Sequence, residues 1–109
     1  LAKDDALHEA STNFDKKHVV PFLGRVSALF DSGFGASEVK KVAAMMEKMK
    51  LDEEKELTFS VQFKASSTPL KIRLFMDDID AIDLYVFSSK DVADRVMVLI
   101  KKFAEEHGL

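Results

Sequence analysis

Four aspartates lie within seven positions in the segment FMDDIDAIDLYVF, at Asp77, Asp78, Asp80 and Asp83. Carboxylate oxygens are the ligands that Ca²⁺ and Mg²⁺ prefer in proteins. An EF-hand loop also requires a glycine at its sixth position and a glutamate at its twelfth, and these positions, counted from Asp78, hold an aspartate and a serine. The calcium pattern therefore fails, and a looser magnesium site that uses the four aspartates remains an alternative.

The same aspartates are typical of a turn between two strands. An Asp carboxylate accepts hydrogen bonds from nearby backbone N–H groups, and the cluster lies where the second of three predicted strands reverses into the third. If Leu74 pairs with Ile82, Arg73 faces Asp83 across the polar side of the sheet. We favour the turn over the metal site, and we predict no cofactor.

Other catalytic chemistry has little support in the sequence. The chain has no cysteine, which excludes thiolate nucleophiles, disulfides and cysteine metal sites. His8, His18 and His107 are far apart in sequence and are predicted to be solvated, and no serine lies in the Gly-x-Ser-x-Gly pattern of a nucleophile elbow. The sequence therefore predicts no assembled catalytic site, and an enzyme is not the favoured interpretation.

A nucleic-acid partner is not predicted either. The formal charge of -3 does not attract a polyanion. The predicted order of a helix, three strands and a helix over residues 37–107 resembles the layout of double-stranded RNA-binding domains. At the places of that family's basic cluster and histidine-bearing loop, this chain has Ser-Lys-Asp-Val at 89–92 and Ser-Ser-Thr-Pro at 66–69, and Asp91 and Asp94 would repel phosphates.

The spacing of apolar residues predicts helices towards both ends of the chain. Residues 1–12 are polar and are predicted to form a short, frayed helix. Residues 13–50 are predicted to be helical, with Pro21 marking either the start of the main helix or a kink, and with Gly33 ending that helix before a second one begins. A closing helix is predicted over residues 89–107, capped by serine at its start.

Alternation of apolar and polar residues predicts three strands, over residues 57–65, 70–76 and 81–87. A four-residue turn after the first strand would place Val61 opposite Leu74. The helices are predicted to cover the apolar face of this antiparallel meander. The fold class is therefore α+β in a single domain of 109 residues: N-terminal helices, a three-stranded meander sheet, and a C-terminal helix packed on the sheet.

The opposite face of the predicted sheet is unusually aromatic. Phe75, Tyr85 and Phe87 fall on this side, next to Arg73. Large apolar groups on a solvent-facing sheet surface usually need a cover. Two alternatives would supply this cover: the N-terminal segment around residues 14–34, or a second molecule. The four side chains are the predicted partner-binding residues.

These features predict a small acidic protein–protein interaction module of the adaptor, inhibitor or secretion-chaperone-like kind, with a homodimer formed through the third strand. The start of the chain is too acidic for a signal peptide, and no apolar run is long enough to cross a bilayer, so a soluble, cytoplasmic protein without a membrane partner is expected.

Two alternatives use other parts of the chain. A small ligand would need a pocket between the N-terminal helices and the sheet, lined by Phe22, Phe30, Met45 and Met49. A metal-dependent phosphate-handling protein would use the cluster from Asp77 to Asp83.

Overall fold

A computed structural model describes residues 7–30, 36–49, 55–61, 70–76 and 78–109, and these form four strands and three helices. All neighbouring strands are antiparallel, and their order in the sheet is β1-β4-β3-β2. The predicted α+β class is confirmed. The elements in chain order are β1 (His8–Asp15), α1 (Lys16–Phe30), α2 (Ala36–Glu47), β2 (Glu56–Val61), β3 (Leu70–Met76), β4 (Ala81–Ser88) and α3 (Lys90–Glu106).

Strand β1 is the main difference from the predicted fold. It pairs with β4 along its whole length, from His8 opposite Ser88 to Asp15 opposite Ala81. The predicted helical segment 13–50 is therefore wrong over residues 13–15, and the predicted three-stranded sheet has a fourth strand. The predicted short helix over residues 1–12 is wrong over residues 8–12. The earlier part of that predicted helix lies outside the described residues.

The sequence does not predict β1, because few of its inward positions carry large apolar side chains. The inward side chains include Ala10, Thr12 and Phe14, of which only the last is large, while Glu9 and Ser11 point outward. Small and polar residues give little period-two signal on their own. The open edge of β4 supplies the backbone partners, so tertiary pairing rather than local preference makes this segment a strand.

Helix α1 runs through Pro21 instead of starting there. It begins five residues earlier, at Lys16, and continues to Phe30. Proline has no N–H to bond the carbonyl of Lys17, but both residues are exposed, so water can bond that carbonyl. The N–H of Lys16 donates to the backbone oxygen of Asp80 at 2.6 Å, so the turn between β3 and β4 caps the start of the helix. The predicted stop at Gly33 lies outside the described residues.

The registers of both hairpins differ from the predicted ones. Leu74 lies opposite Leu57 and Leu84, whereas the sequence predicts Val61 and Ile82. Each shift is an even number of residues, so the same side chains still face the helices. The predicted four-residue turn at 66–69 lies outside the described part of the chain.

The described helices cover one side of the sheet, which we call the inner face. The inward residues of β3 and β4 are buried at every second position. At the centre of this core, Phe14 from β1, Phe22 from α1 and Phe103 from α3 form an aromatic cluster with ring centroids 5.3, 5.3 and 5.4 Å apart. Tilted and edge-to-face rings at this spacing add to the burial energy. The cluster therefore joins three elements at one point.

Helix α3 has the predicted ends. The hydroxyl of Ser89 accepts a hydrogen bond from the N–H of Val92 at 3.4 Å, and Gly108 follows the helix with a φ of +68°, which glycine adopts without strain. Of the helices in the described ranges, none combines the length and apolar character needed to span a membrane.

The aromatic cluster generates a stability prediction. We expect Phe14→Ala to lower the free energy of unfolding by about 3–5 kcal/mol, because it leaves a cavity where β1, α1 and α3 meet. Urea denaturation measures this loss. Leu7→Ala, an apolar truncation at an exposed neighbouring site, should cost less than about 1 kcal/mol. Equal costs for the two variants would show that β1 does not anchor the core.

An ion pair also links α1 to α3. Arg25 Nη1 lies 2.7 Å from Glu106 Oε1, and Nη2 lies 3.4 Å from Oε2. The hydrogen bonds from Arg25 hold the pKa of the Glu106 carboxyl below its usual range, although desolvation acts in the opposite direction. Because this pKa is lower in the folded chain, the pair stabilises the fold above the unfolded pKa of about 4.3, and the stabilisation disappears as the pH falls through the folded pKa.

We therefore expect Glu106→Gln to unfold at lower denaturant concentration than wild type at pH 7. The two unfolding curves should converge as the pH falls below the folded pKa of Glu106, where the carboxyl is protonated in both states. Denaturant titration at several pH values measures the difference. Glu105→Gln, at the exposed neighbouring position, is the control. A difference between Glu106→Gln and wild type that stays constant with pH would contradict the assignment.

Candidate functional site

The outer face of the sheet, opposite the described helices, carries the predicted partner-binding residues. Three cross-strand rows make up this face: Glu9–Phe87–Lys71–Ser60, Ser11–Tyr85–Arg73–Thr58 and Asn13–Asp83–Phe75–Glu56. The aromatic side chains stand on the two central strands, and polar side chains stand on both edge strands.

We call Phe75, Tyr85, Phe87 and Arg73 the aromatic patch. The structure brings these four together, and each is half-buried. The rings of Tyr85 and Phe87 are parallel to within 8°, with centroids 6.3 Å apart. The guanidinium carbon of Arg73 lies 5.3 Å from the Tyr85 ring centroid and 5.8 Å from that of Phe75, which is within cation–π range.

The polar partner of Arg73 is not the predicted one. Arg73 lies opposite Tyr85, and its Nε donates to the Glu56 carboxylate on the neighbouring strand β2. Asp83 instead accepts a hydrogen bond of 2.7 Å from the side-chain amide of Asn13 on β1. The two-residue difference in register between β3 and β4 causes this correction. The guanidinium is therefore held in place by one carboxylate and two rings.

One of the two predicted covers was the N-terminal segment, and its described residues contribute their buried side chains to the inner-face core instead. Phe14 and Phe22, which open the predicted covering segment, are fully buried in the inner-face core. Helices α1 and α2 contribute their buried side chains to that same core. Within the described residues, the patch is shielded only by its own ring packing and by its neighbours on the sheet.

The strand that carries Tyr85 and Phe87 is not an edge strand. β4 lies between β1 and β3, with hydrogen-bonded partners on both sides. The predicted route of association, in which this strand continues a sheet into a second chain, is therefore closed. Any contact through these residues must use the face of the sheet.

The aspartate cluster forms a turn in its described part, and Asp77 lies outside that part. Asp78 and Ala81 exchange two backbone hydrogen bonds of 3.3 Å, and the Asp78 carboxylate accepts a bond of 2.7 Å from the N–H of Ile79. Asp83 is held by its amide partner on β1. Across the described ranges, no three His, Cys, Asp or Glu side chains are grouped as metal ligands. The described aspartates thus give no support to metal-dependent phosphate chemistry.

Asp80 lies beside the start of α1. The first turn of α1 carries Lys16 and Lys17 and has no acidic residue, which is unfavourable at the positive end of a helix. Asp15 and Asp80 line a small pocket together with both lysines. Two carboxylates at this position offset the lysine charges, so Asp80 has a structural role.

His18 and His107 form a ring contact that the sequence does not predict. The rings of His18 on α1 and His107 after α3 have centroids 5.3 Å apart, and both pack against Phe103. His107 Nδ1 lies 2.9 Å from the Phe103 carbonyl oxygen, whereas the buried Nδ1 of His18 has no hydrogen-bond partner among the described residues. The prediction that these histidines are simply solvated is therefore wrong for His18 Nδ1.

The predicted ligand pocket is not formed by its described residues. Phe22 and Met49 are buried in the core, Met45 is 40% exposed on α2, and the side chain of Phe30 lies outside the described set. A cavity of about 470 Å³ lies instead between α1 and α3.

Comparisons with known proteins assign no relative to the chain: no family model matches it, and no curated protein or solved structure matches it.

The turn generates a prediction about metals. We expect Ca²⁺, Mg²⁺ and Mn²⁺ at up to about 1 mM to leave the melting temperature unchanged. The carboxylates of Asp78 and Asp83 already accept hydrogen bonds, from a backbone N–H group and from a side-chain amide. Differential scanning fluorimetry measures this. The double variant Asp78→Asn/Asp80→Asn is the control, and a rise of several degrees in wild type that this variant abolishes would establish a metal site.

Proposed function

We propose that this chain is a protein–protein interaction module and that the aromatic patch is its contact surface. The proposal rests on one observation. Three aromatic side chains and an arginine lie on a sheet face that the described helices leave open. Aromatic residues and arginine supply most of the binding energy in protein interfaces. A patch of these residue types at the centre of a face has the composition of an interface core.

The geometry of Arg73 supports this assignment. Its guanidinium is held by Glu56, Tyr85 and Phe75 before any partner arrives. A side chain that is already ordered loses little conformational freedom on binding. The arginine also keeps unused N–H donors for a partner, since a guanidinium carries five.

We propose a second copy of the chain as the partner. The outer face carries separated charges of both signs, because Lys71 stands on β3 and Glu9 on β1, on opposite sides of Phe87. Arg73 and Glu56 already pair with each other. A two-fold contact pairs a surface with itself, and a surface with separated charges of both signs can place each charge against its opposite. Since β4 has no open edge, the two sheets would pack face to face, at about 10 Å.

The proposed module would act in the cytoplasm without a cofactor, as an adaptor, an inhibitor or a secretion-chaperone-like protein. The absence of cysteine from the sequence suits a reducing compartment.

Substitution of the patch tests the proposal. We expect wild type to sediment increasingly as a dimer between about 10 and 500 µM, and Tyr85→Thr/Phe87→Thr to remain monomeric, because threonine keeps strand propensity but removes the rings. Sedimentation velocity measures both. Thr58→Ser/Ser60→Ala, on the same face at exposed positions of β2, should dimerise as wild type does. A wild-type chain that stays monomeric throughout would contradict the dimer.

A further inference from the structure

The helical side of the molecule carries a second surface, the groove between α1 and α3. Its volume of about 470 Å³ lies within the range of about 300–1,000 Å³ typical of small-molecule sites. It is separated from the aromatic patch by the sheet, because α1 and α3 pack on the inner face.

The floor of the groove is apolar and partly exposed. Val98 on α3 is 66% exposed, and Leu29 on α1 is 38% exposed. Ala28 and Leu99 complete this floor. Binding of an apolar ligand gains about 25 cal/mol of free energy for each Å² of apolar surface that is removed from water. The floor therefore favours an apolar ligand segment.

The rim of the groove is basic. Arg95 and Lys102 flank Val98 on α3, and their spacing of three and four residues from it places all three on one side of the helix. Arg25 approaches from α1. Three cations around one groove are notable in a chain with a formal charge of -3. This local charge favours an anion.

Glu106 fixes the position of one of these cations. Its carboxylate bonds both terminal nitrogens of Arg25, at 2.7 and 3.4 Å. Two N–H groups are used in this way, which leaves three of the five donors of Arg25 for other acceptors. With Glu106 counted, the rim still carries more positive than negative charge.

We propose that this groove binds a medium-chain carboxylate, with its hydrocarbon chain on the floor formed by Leu29 and Val98 and its head group against Lys102 and the remaining N–H donors of Arg25. A cationic head group would meet three like charges. A neutral head group could accept hydrogen bonds from these cations, but it would lack the attraction between opposite full charges. This binding activity is independent of the proposed self-association, since the two surfaces lie on opposite sides of the sheet.

Calorimetric titration of the full chain with dodecanoate tests the proposal, and dodecyltrimethylammonium, with the same chain length and the opposite charge, is the matched ligand. Both are used below their micelle concentrations. We expect one dodecanoate to bind per chain, at least about tenfold more tightly than the cation. Amide chemical-shift changes should map to α1 and α3. Equal affinities, no binding of dodecanoate, or changes confined to the outer face would overturn the proposal.

Variants on α3 test whether binding depends on the residues of the groove or only on the positive charge of the helix surface. We expect Lys102→Gln and Val98→Asn each to weaken dodecanoate binding by about tenfold, because one removes a head-group partner and the other part of the apolar floor. Both side chains are exposed, so folding should be unaffected. Lys101→Gln, at the exposed adjacent position outside the groove, should bind as wild type does. Equal effects of Lys101→Gln and Lys102→Gln would refute the site.

Discussion

The antiparallel pairing of β1 with β4 is the interaction on which the rest of the structure depends. It gives β4 a partner on its second edge and carries Phe14 into the core, where that ring meets Phe22 of α1 and Phe103 of α3. The same pairing brings the start of α1 next to the turn between β3 and β4, whose backbone caps the helix. Because α1 and α3 both pack on the inner face, the described helices leave the aromatic side chains of the outer face uncovered.

The parts of the fold that the sequence predicts well are those with strong local signals. β3 and β4 alternate large apolar residues with polar or aromatic ones, and α3 has a serine at its start and a glycine at its end. β1 was not predictable in this way, since Ala10 and Thr12 give its inner side little apolar character. The hairpin registers could not be predicted from the apolar pattern, because a shift by an even number of residues leaves every side chain on the same face.

The two candidate sites differ in how far the sequence could reveal them. The membership of the aromatic patch follows from alternation alone, so Phe75, Tyr85 and Phe87 could be placed on one face before any coordinates were known. The partner of Arg73 could not, because it depends on register. The groove between α1 and α3 is lined by Arg25 and Lys102, which are distant in sequence and come together only through the packing of the two helices. The contact between the two histidines was hidden for the same reason.

The pairing of the first strand with the last one also has a consequence for the order in which the protein folds. The side chains of Asn13 and Asp83, which are 70 positions apart, are hydrogen-bonded in the finished sheet. Contacts between such distant positions slow folding, because a long stretch of chain must be ordered before they can form. During synthesis, residues 8–15 therefore cannot pair with β4 until residues 81–88 have left the ribosomal exit tunnel.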